Sequence, residues 1–249
     1  MATPAATITG FDRRTIAVLA AVAALTAIAW ADLVWMAGEP AMLAAPPVWS
    51  AGYAIAMLAM WAVMMAAMMV PSAAPTIFLF AALRRHGGGS ASRDTALFVA
   101  GYVLAWTAFS VGATAAQWAL VSTSLLDPSM AAAGPRLAGA LFVAAGLYQF
   151  STLKHACLGH CRSPEQFLVE HRRGGAWGSL VMGLLHGAWC VGCCAPLMAL
   201  LFAFGVMNLL WVLALSAFVI AEKLLPPGRT FGRISGGALA GAGIAFLLL

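Results

Sequence analysis

Seven stretches of the sequence are apolar over about the length that a helix needs to cross a lipid bilayer. They lie near residues 15–36, 48–83, 95–121, 135–153, 176–204, 206–225 and 234–249. The apolar runs are continuous and lack the period-two alternation that is typical of barrel strands. The sequence therefore predicts an all-α fold: one polytopic membrane domain over residues 1–249, a helical bundle of about seven transmembrane helices.

Some boundaries of these stretches are ambiguous. The second stretch is too long for one simple span and contains Pro71 and Pro75, so we expect a kink or break there. The last stretch is short, which leaves six spans as an alternative. Residues 1–31 also resemble a signal peptide, although the apolar run continues to Met36 and favours a span. The breaks between stretches are polar or rich in glycine and proline, as at 86–90, 127–128 and 226–227.

Charged residues are few, and their positions predict the orientation. Of all residues 63% are hydrophobic and 8% are charged, whereas soluble domains carry about 25% charged residues. With seven spans and a cytoplasmic N-terminus, every lysine and arginine except Arg136 falls in a cytoplasmic segment. This distribution follows the positive-inside rule. The net charge of +5 is therefore a signal of topology, and nucleic-acid binding is not expected.

All five cysteines fall in two short segments that also contain histidine. The first segment holds Cys157, His160 and Cys161 at the inner end of the fourth stretch. The second lies inside the fifth stretch and holds His186, Cys190, Cys193 and Cys194. On a helix, His186, Cys190 and Cys193 lie within about 60° of one another, with Cys194 at the edge of the stripe. Both segments have the residue types of a metal site.

The second stretch brings methionines to a similar depth in the membrane. Met64 and Met68 lie near its middle, at about the level of His186 and Cys190. Thiolate, thioether and imidazole groups are soft ligands, which predicts Cu(I) first and Zn(II) second. Clustered oxygen ligands for Mg²⁺ or Ca²⁺ are lacking in the sequence. Buried methionines also fill gaps in helix packing, so a purely structural role for them stays open.

Several other features have alternative interpretations. Cys190 and Cys193 have the Cys-x-x-Cys spacing, which keeps a membrane thiol oxidoreductase as an alternative. Gln149, Glu222 and Lys223 are polar groups near the inner ends of apolar stretches. The alternatives for them are a role in proton relay, a local ion pair, and snorkelling to the interface. The Gly183-x3-Gly187 and Gly237-x3-Gly241 patterns predict close helix packing.

The motifs together resemble a known family, the bacterial predicted metal-binding integral membrane proteins, a domain of unknown function. The resemblance rests on the run from Met64 to Pro75, the segments Tyr148–Gln149 and Lys154–Pro164, and the run from His186 to Cys194 with Met198 and the later Glu222–Lys223. It implies metal binding and a multi-pass location in the bacterial inner (cytoplasmic) membrane.

From residues and resemblance together we expect a protein that transports or otherwise handles a soft metal ion, most plausibly Cu(I). One station, at the cytoplasmic rim, comprises Cys157, His160 and Cys161. The other, near the midplane, comprises His186, Cys190, Cys193 and Cys194 with Met64 or Met68. The expected partners are the metal ion and the lipid bilayer. A protein partner or a second copy of the chain stays open, as does a metal-loaded subunit or chaperone of a larger membrane complex. Motifs of ATPases, serine hydrolases and zinc proteases are lacking, so catalysis is not favoured.

Overall fold

A computed structural model describes residues 13–39, 49–85, 91–126, 133–225 and 228–248. Within these ranges all regular secondary structure is helical, which confirms the predicted all-α class. The helices, numbered in chain order, are α1 (Arg13–Gly38), α2 (Ala51–Arg85), α3 (Ala91–Ser122), α4 (Pro135–Tyr148), α5 (Thr152–Arg162), α6 (Pro164–Glu170), α7 (Gly175–Met198), α8 (Leu201–Phe204), α9 (Leu209–Leu224) and α10 (Gly228–Leu248). The breaks expected at 86–90, 127–128 and 226–227 lie outside the described residues.

Five stretches of the described chain are long and apolar enough to cross a membrane. They are Ile16–Gly38, Ala51–Arg85, Ala91–Ser122, Gly175–Phe204 and Thr230–Leu248. The other two predicted spans contain shorter helices, α4 with 14 residues and α9 with 16. At about 1.5 Å per residue these rise less than the roughly 30 Å of a hydrocarbon core. The described residues therefore contain five helices of spanning length, and the count of seven spans stays a prediction.

The long second helix continues through both of its prolines. We expected a kink or break at Pro71 and Pro75; α2 runs as one helix from Ala51 to Arg85, so the helix does not break there, and a kink stays a prediction. Each proline removes one backbone donor. The lost backbone hydrogen bonds are offset by packing, because α2 is buried along most of its middle. In the same segment, Ser72 Oγ donates to the Met69 carbonyl at 2.8 Å.

Glycines bring α3 and α7 into close contact. A Cβ atom at Gly101 of α3 would collide with the Leu180 carbonyl, and one at Gly183 with the Phe98 carbonyl. At Gly187 an added Cβ would lie 2.5 Å from the Ala105 Cβ atom. The close packing predicted for Gly183-x3-Gly187 is thereby confirmed.

A second close pair joins α4 and α10, through glycines other than those predicted. Added Cβ atoms at Gly236 and Gly243 would meet the backbone of α4 at 3.0 Å and 2.7 Å respectively. At Gly237 and Gly241 nothing lies within 4 Å, so the packing predicted for that pair is wrong. A seven-residue spacing keeps Gly236 and Gly243 on one face of the helix, and that face packs on α4.

Two short helices, α5 and α6, connect α4 to α7. The first cysteine segment lies on α5. The Ser151 hydroxyl caps α5 by accepting from the Lys154 backbone N–H at 3.1 Å, and Pro164 begins α6 directly after α5 ends. The stretch predicted as one span over 135–153 therefore ends as a helix at Tyr148. α5 packs against α7 and α6 packs against α2.

Candidate metal centre

Three cysteines from two distant segments meet inside the helical bundle. Cys161 comes from α5, and Cys190 and Cys193 come from α7. Their sulfur atoms all lie within 4.8 Å of one another, and Cys161 Sγ is 4.0 Å from Cys193 Sγ. Cys190 and Cys193 are buried and Cys161 is partly exposed. We call these three residues the sulfur centre.

Helix geometry and one glycine explain how the sulfur centre forms. Cys190 and Cys193 are three residues apart, so they lie on the same face of α7. α5 comes close to that face beside Gly192, where an added Cβ would lie 2.7 Å from Cys157 Sγ. The Tyr148 hydroxyl, at the end of α4, donates to the Gly192 carbonyl. A side chain at position 192 would push α5, and with it Cys161, away from α7.

Cys190 is the member of the centre with the most polar surroundings. The Lys223 ammonium, from α9, donates to Cys190 Sγ at 2.9 Å and to Ser72 Oγ at 2.9 Å. The Tyr102 hydroxyl, from α3, lies 3.1 Å from Cys190 Sγ and donates to the Met69 carbonyl at 2.9 Å. Two other helices, α9 and α3, therefore place polar groups in contact with this sulfur atom, and α2 accepts hydrogen bonds from both groups.

A buried ion pair lies next to the centre. The Lys154 ammonium is 2.8 Å from Glu222 Oε2 and donates to the Cys193 carbonyl at 3.1 Å. Both side chains are 1% exposed. The Arg162 guanidinium donates to the backbone carbonyls of Glu222 and Leu225, each at 2.7 Å. These contacts attach α5 to α7 and α9, so Glu222 pairs with a lysine from another helix instead of snorkelling.

Cys194 lies beside the centre, facing α2. Its sulfur is 4.0 Å from Met69 Sδ and donates to the Cys190 carbonyl at 2.9 Å. Met64 and Met68, the predicted thioether ligands, are fully buried on the same helix as Met69. The structure thus places a thioether beside the cysteines, and the methionine in contact with Cys194 is Met69.

His186 occupies an aromatic setting one helical turn before Cys190. Its ring is 4.9 Å from that of Phe167, 5.8 Å from Tyr102 and 6.0 Å from Phe98, measured between centroids. The side chain is buried, and Nδ1 has no hydrogen-bond partner among the described residues. His186 is therefore near the sulfur centre and outside its three-sulfur group.

The other two residues of the first segment also lie outside the three-sulfur group. The His160 ring stacks on Trp189 with centroids 4.2 Å apart, and its Nδ1 lies 3.0 Å from the Ala156 carbonyl oxygen. Cys157 is buried against Gly192. Burial raises the pKa of the Cys157 thiol, which keeps it protonated at neutral pH.

The two segments predicted as separate stations thus share one centre. Cys161 of the first segment joins Cys190 and Cys193 of the second, because α5 folds back onto α7. The sequence did not single out Tyr102 as part of the surroundings, and it indicated Met69 and Ser72 only within the run from Met64 to Pro75. The polar residues Ser72 and Tyr102 within apolar stretches were the available signal.

Chemically, the centre offers sulfur donors in a dry interior. All five cysteines of the chain are free. Clustered thiols bind soft and borderline metals such as copper and zinc. The Glu222 carboxylate is already paired with Lys154. The arrangement suits a metal ion that is held by sulfur.

Comparison with known protein families agrees with this chemistry. The model of the PpoB2 copper chaperone family matches residues 58–246, a range that includes every residue of the sulfur centre and its surroundings. No curated protein and no solved structure gave a significant match. The family match and the cysteine group together indicate metal handling, with copper as the metal. Because the matched range is well over half of the sequence, the chain belongs to the PpoB2 copper chaperone family.

Proposed function

We propose that this protein is a multi-pass protein of the bacterial inner membrane that binds Cu(I) and passes it on to an acceptor. The observation that carries the proposal is the sulfur centre, in which Cys161, Cys190 and Cys193 lie within 4.8 Å of one another. Membership of a copper chaperone family supports the same role.

The donor atoms favour Cu(I) over other metals. Cu(I) prefers thiolate and thioether ligands, and the Met69 thioether lies against Cys194 beside the centre. Zn(II) is the second candidate, because it also binds cysteine. Hard cations are disfavoured, because they need several free oxygen ligands.

The remaining predicted ligands fit a path on either side of the centre. Cys157 and His160 lie on α5, towards the predicted cytoplasmic rim. His186, Cys194 and the methionines Met64 and Met68 are buried in α7 and α2. We infer that Cys161, Cys190 and Cys193 hold the ion and that the other groups exchange with them as it enters or leaves. Weak successive sites let an ion move without a deep trap.

The membrane location rests on hydropathy and charge. Five described stretches are long and apolar enough to span a bilayer. With the N-terminus in the cytoplasm, the lysines and arginines gather on the cytoplasmic side with Arg136 as the exception. The ion would be received or released near α5, on that side.

Metal content of purified protein tests the proposal. Wild-type protein is purified under reducing, anaerobic conditions and supplied with Cu(I) or Zn(II), and bound metal is measured by mass spectrometry. We expect about one tightly held copper ion per chain. The Cys190→Ser/Cys193→Ser double variant should lose it, and Cys161→Ser should weaken binding at least about tenfold by removing one sulfur ligand.

Cys157→Ser is the matched control for Cys161→Ser. Both cysteines lie on the same face of α5, but Cys157 is outside the three-sulfur group. The control should bind copper as the wild type does. Wild-type protein that remains metal-free when copper is supplied would contradict the proposal, and equal losses in the two α5 variants would contradict the assigned ligands.

A thiol oxidoreductase is the second candidate, favoured by the 4.0 Å separation of the Cys161 and Cys193 sulfur atoms. Such an enzyme would carry a disulfide during turnover. Thiols in native membranes are alkylated before and after reduction and counted by mass. Five reactive thiols before reduction would exclude an oxidised resting state, whereas a gain of two thiols on reduction would support it.

A further inference from the structure

One cation in contact with the sulfur centre has no carboxylate partner within the described part of the chain. Lys223 is buried, and its ammonium contacts Cys190 Sγ and Ser72 Oγ, each at 2.9 Å. Both atoms are acceptors, as an ammonium requires, because the Ser72 hydroxyl gives its own hydrogen to the Met69 carbonyl. Nearby Lys154 differs, because Glu222 neutralises it at 2.8 Å. Lys223 therefore places a positive charge beside Cys190 that no carboxylate of the described residues balances.

The same ammonium limits the number of donors available to a bound ion. A protonated lysine has no lone pair, so it is unable to act as a ligand. It occupies one side of Cys190, and the Tyr102 hydroxyl, at 3.1 Å, occupies another. Cys194 Sγ lies next to the Cys190 and Cys193 side chains, on the side that faces α2, 4.0 Å from Met69 Sδ. An ion bound to Cys190 thus has the Lys223 ammonium, which is unable to bind it, directly beside one of its sulfur ligands.

These constraints act differently on the two candidate metals. Zn(II) takes four ligands in structural sites, whereas Cu(I) is satisfied by fewer sulfur ligands. A metal–sulfur bond is about 2.3 Å, so an ion bound to Cys190 lies within about 5 Å of the Lys223 charge. A divalent ion is repelled twice as strongly as a monovalent one at this distance. For the same ligand charge, the extra repulsion lowers relative Zn(II) affinity on the order of 100-fold at an effective dielectric constant of about 20.

We propose that Lys223 determines the metal specificity of the sulfur centre: its ammonium admits monovalent Cu(I) and opposes Zn(II). This inference rests on the proposed function, because it concerns the same centre. The inference explains why a buried lysine lies beside a metal-binding cysteine, which helix packing alone does not explain. Burying a lysine without a carboxylate partner lowers stability, and we infer that the charge is retained because it opposes binding of the commoner divalent ion.

Competition titrations of the full-length protein in detergent test the inference. Cu(I) and Zn(II) affinities are measured separately against chromogenic chelators for the wild type and three variants. Lys223→Leu removes the charge without adding a donor, and Lys223→Gln is a second neutral variant of nearly the original length. Lys223→Arg keeps the charge and is the matched control. Circular dichroism establishes that each variant retains its helices.

The measured quantity is the ratio of the Zn(II) to the Cu(I) association constant. In the neutral variants the ratio should rise on the order of 100-fold, mainly through tighter Zn(II) binding. In Lys223→Arg it should stay within about threefold of the wild type, since the charge is retained. An unchanged ratio in a folded neutral variant overturns the inference, and so does an equal rise in Lys223→Arg. Wild-type protein that binds Zn(II) as tightly as Cu(I) overturns it without any variant.

The outcomes separate this inference from the proposed function. Wild-type protein that binds no Cu(I) contradicts the proposed function itself. Wild-type protein that binds Cu(I), with a ratio insensitive to Lys223, leaves the copper-binding role in place and removes only the claim about specificity.

Discussion

Two opposite charges face each other beside the metal centre, in an interior that is largely apolar. Lys154 and Glu222 are each 1% exposed and 2.8 Å apart. A buried ion pair adds little net stability, but removing one partner leaves the other charged and unsolvated. Here the pair also fixes α5, because the Lys154 ammonium donates to the Cys193 carbonyl. Its loss should therefore affect both stability and the position of Cys161.

Glu222→Gln should destabilise the protein strongly. The substitution leaves the Lys154 ammonium buried without a counter-charge, which we expect to lower the free energy of unfolding by about 3–5 kcal/mol. Thermal unfolding in detergent, followed by circular dichroism, measures the change. The double variant Lys154→Leu/Glu222→Leu should recover most of the loss, because both charges are then absent.

Glu165→Gln is the control for a carboxylate in an exposed place. Glu165 lies on the exposed side of α6, so this variant should stay within about 0.5 kcal/mol of the wild type. If Glu222→Gln unfolds at the temperature of this control, the ion pair is not contributing as described.

Among the helices, the close α3–α7 pair positions Cys190 and Cys193 of α7. Gly101 on α3 faces the α7 backbone, where a Cβ atom would collide with the Leu180 carbonyl and lie 2.8 Å from the Leu184 nitrogen. Backbone atoms move less readily than side-chain ends, so the helices would have to separate. The distance between α3 and α7 also sets the contact of the Tyr102 hydroxyl with Cys190.

Gly101→Ala should weaken this helix pair and copper binding together. Overpacking of this kind costs about 1–3 kcal/mol, and the shift of α7 should lower Cu(I) affinity in the same preparation. Gly112→Ala is the matched control on the same helix, where nothing lies within 4 Å of the added Cβ. The control should be neutral or stabilising by up to about 1 kcal/mol, because alanine favours helix more than glycine does. Equal effects of the two alanines would mean that the close contact is not required.

For the molecule as a whole, charge and apolar length predict how it sits in the bilayer. The segments around Arg84, Arg85 and Arg93 and around Lys154 and Arg162 carry the basic residues, whereas the connection between α3 and α4 has Arg136 alone. The positive-inside rule therefore predicts opposite sides of the membrane for residues 86–90 and residues 127–132.

Reporter insertions test this orientation in cells. A reporter placed within 86–90 should be active only as a cytoplasmic reporter, and one placed within 127–132 only as a reporter for the opposite side. A reporter at the N-terminus should agree with the first insertion. The same side for both insertions would contradict the predicted topology and would require recounting the spans, with the short helices α4 and α9 as the first to be reconsidered.

The sequence by itself determined the helical class, the long apolar helices and the types of candidate metal ligand. These follow from local properties: a bilayer requires each spanning segment to satisfy its own backbone hydrogen bonds, so hydropathy alone locates the segments. Three-residue spacing likewise places Cys190 and Cys193 on one face of a helix. The chemistry of sulfur then points to a soft metal without knowledge of the fold.

The tertiary structure alone decided which of these groups come together. Cys161 joins Cys190 and Cys193, whereas Cys157 and His160 do not. The reason is which face of α5 packs on α7. Glu222 pairs with Lys154, and Lys223 contacts Cys190 instead. Both contacts depend on where α9 meets α5 and α2. Such choices are set by packing between segments far apart in the chain, with glycines at the closest approaches, and no local pattern in the sequence encodes them.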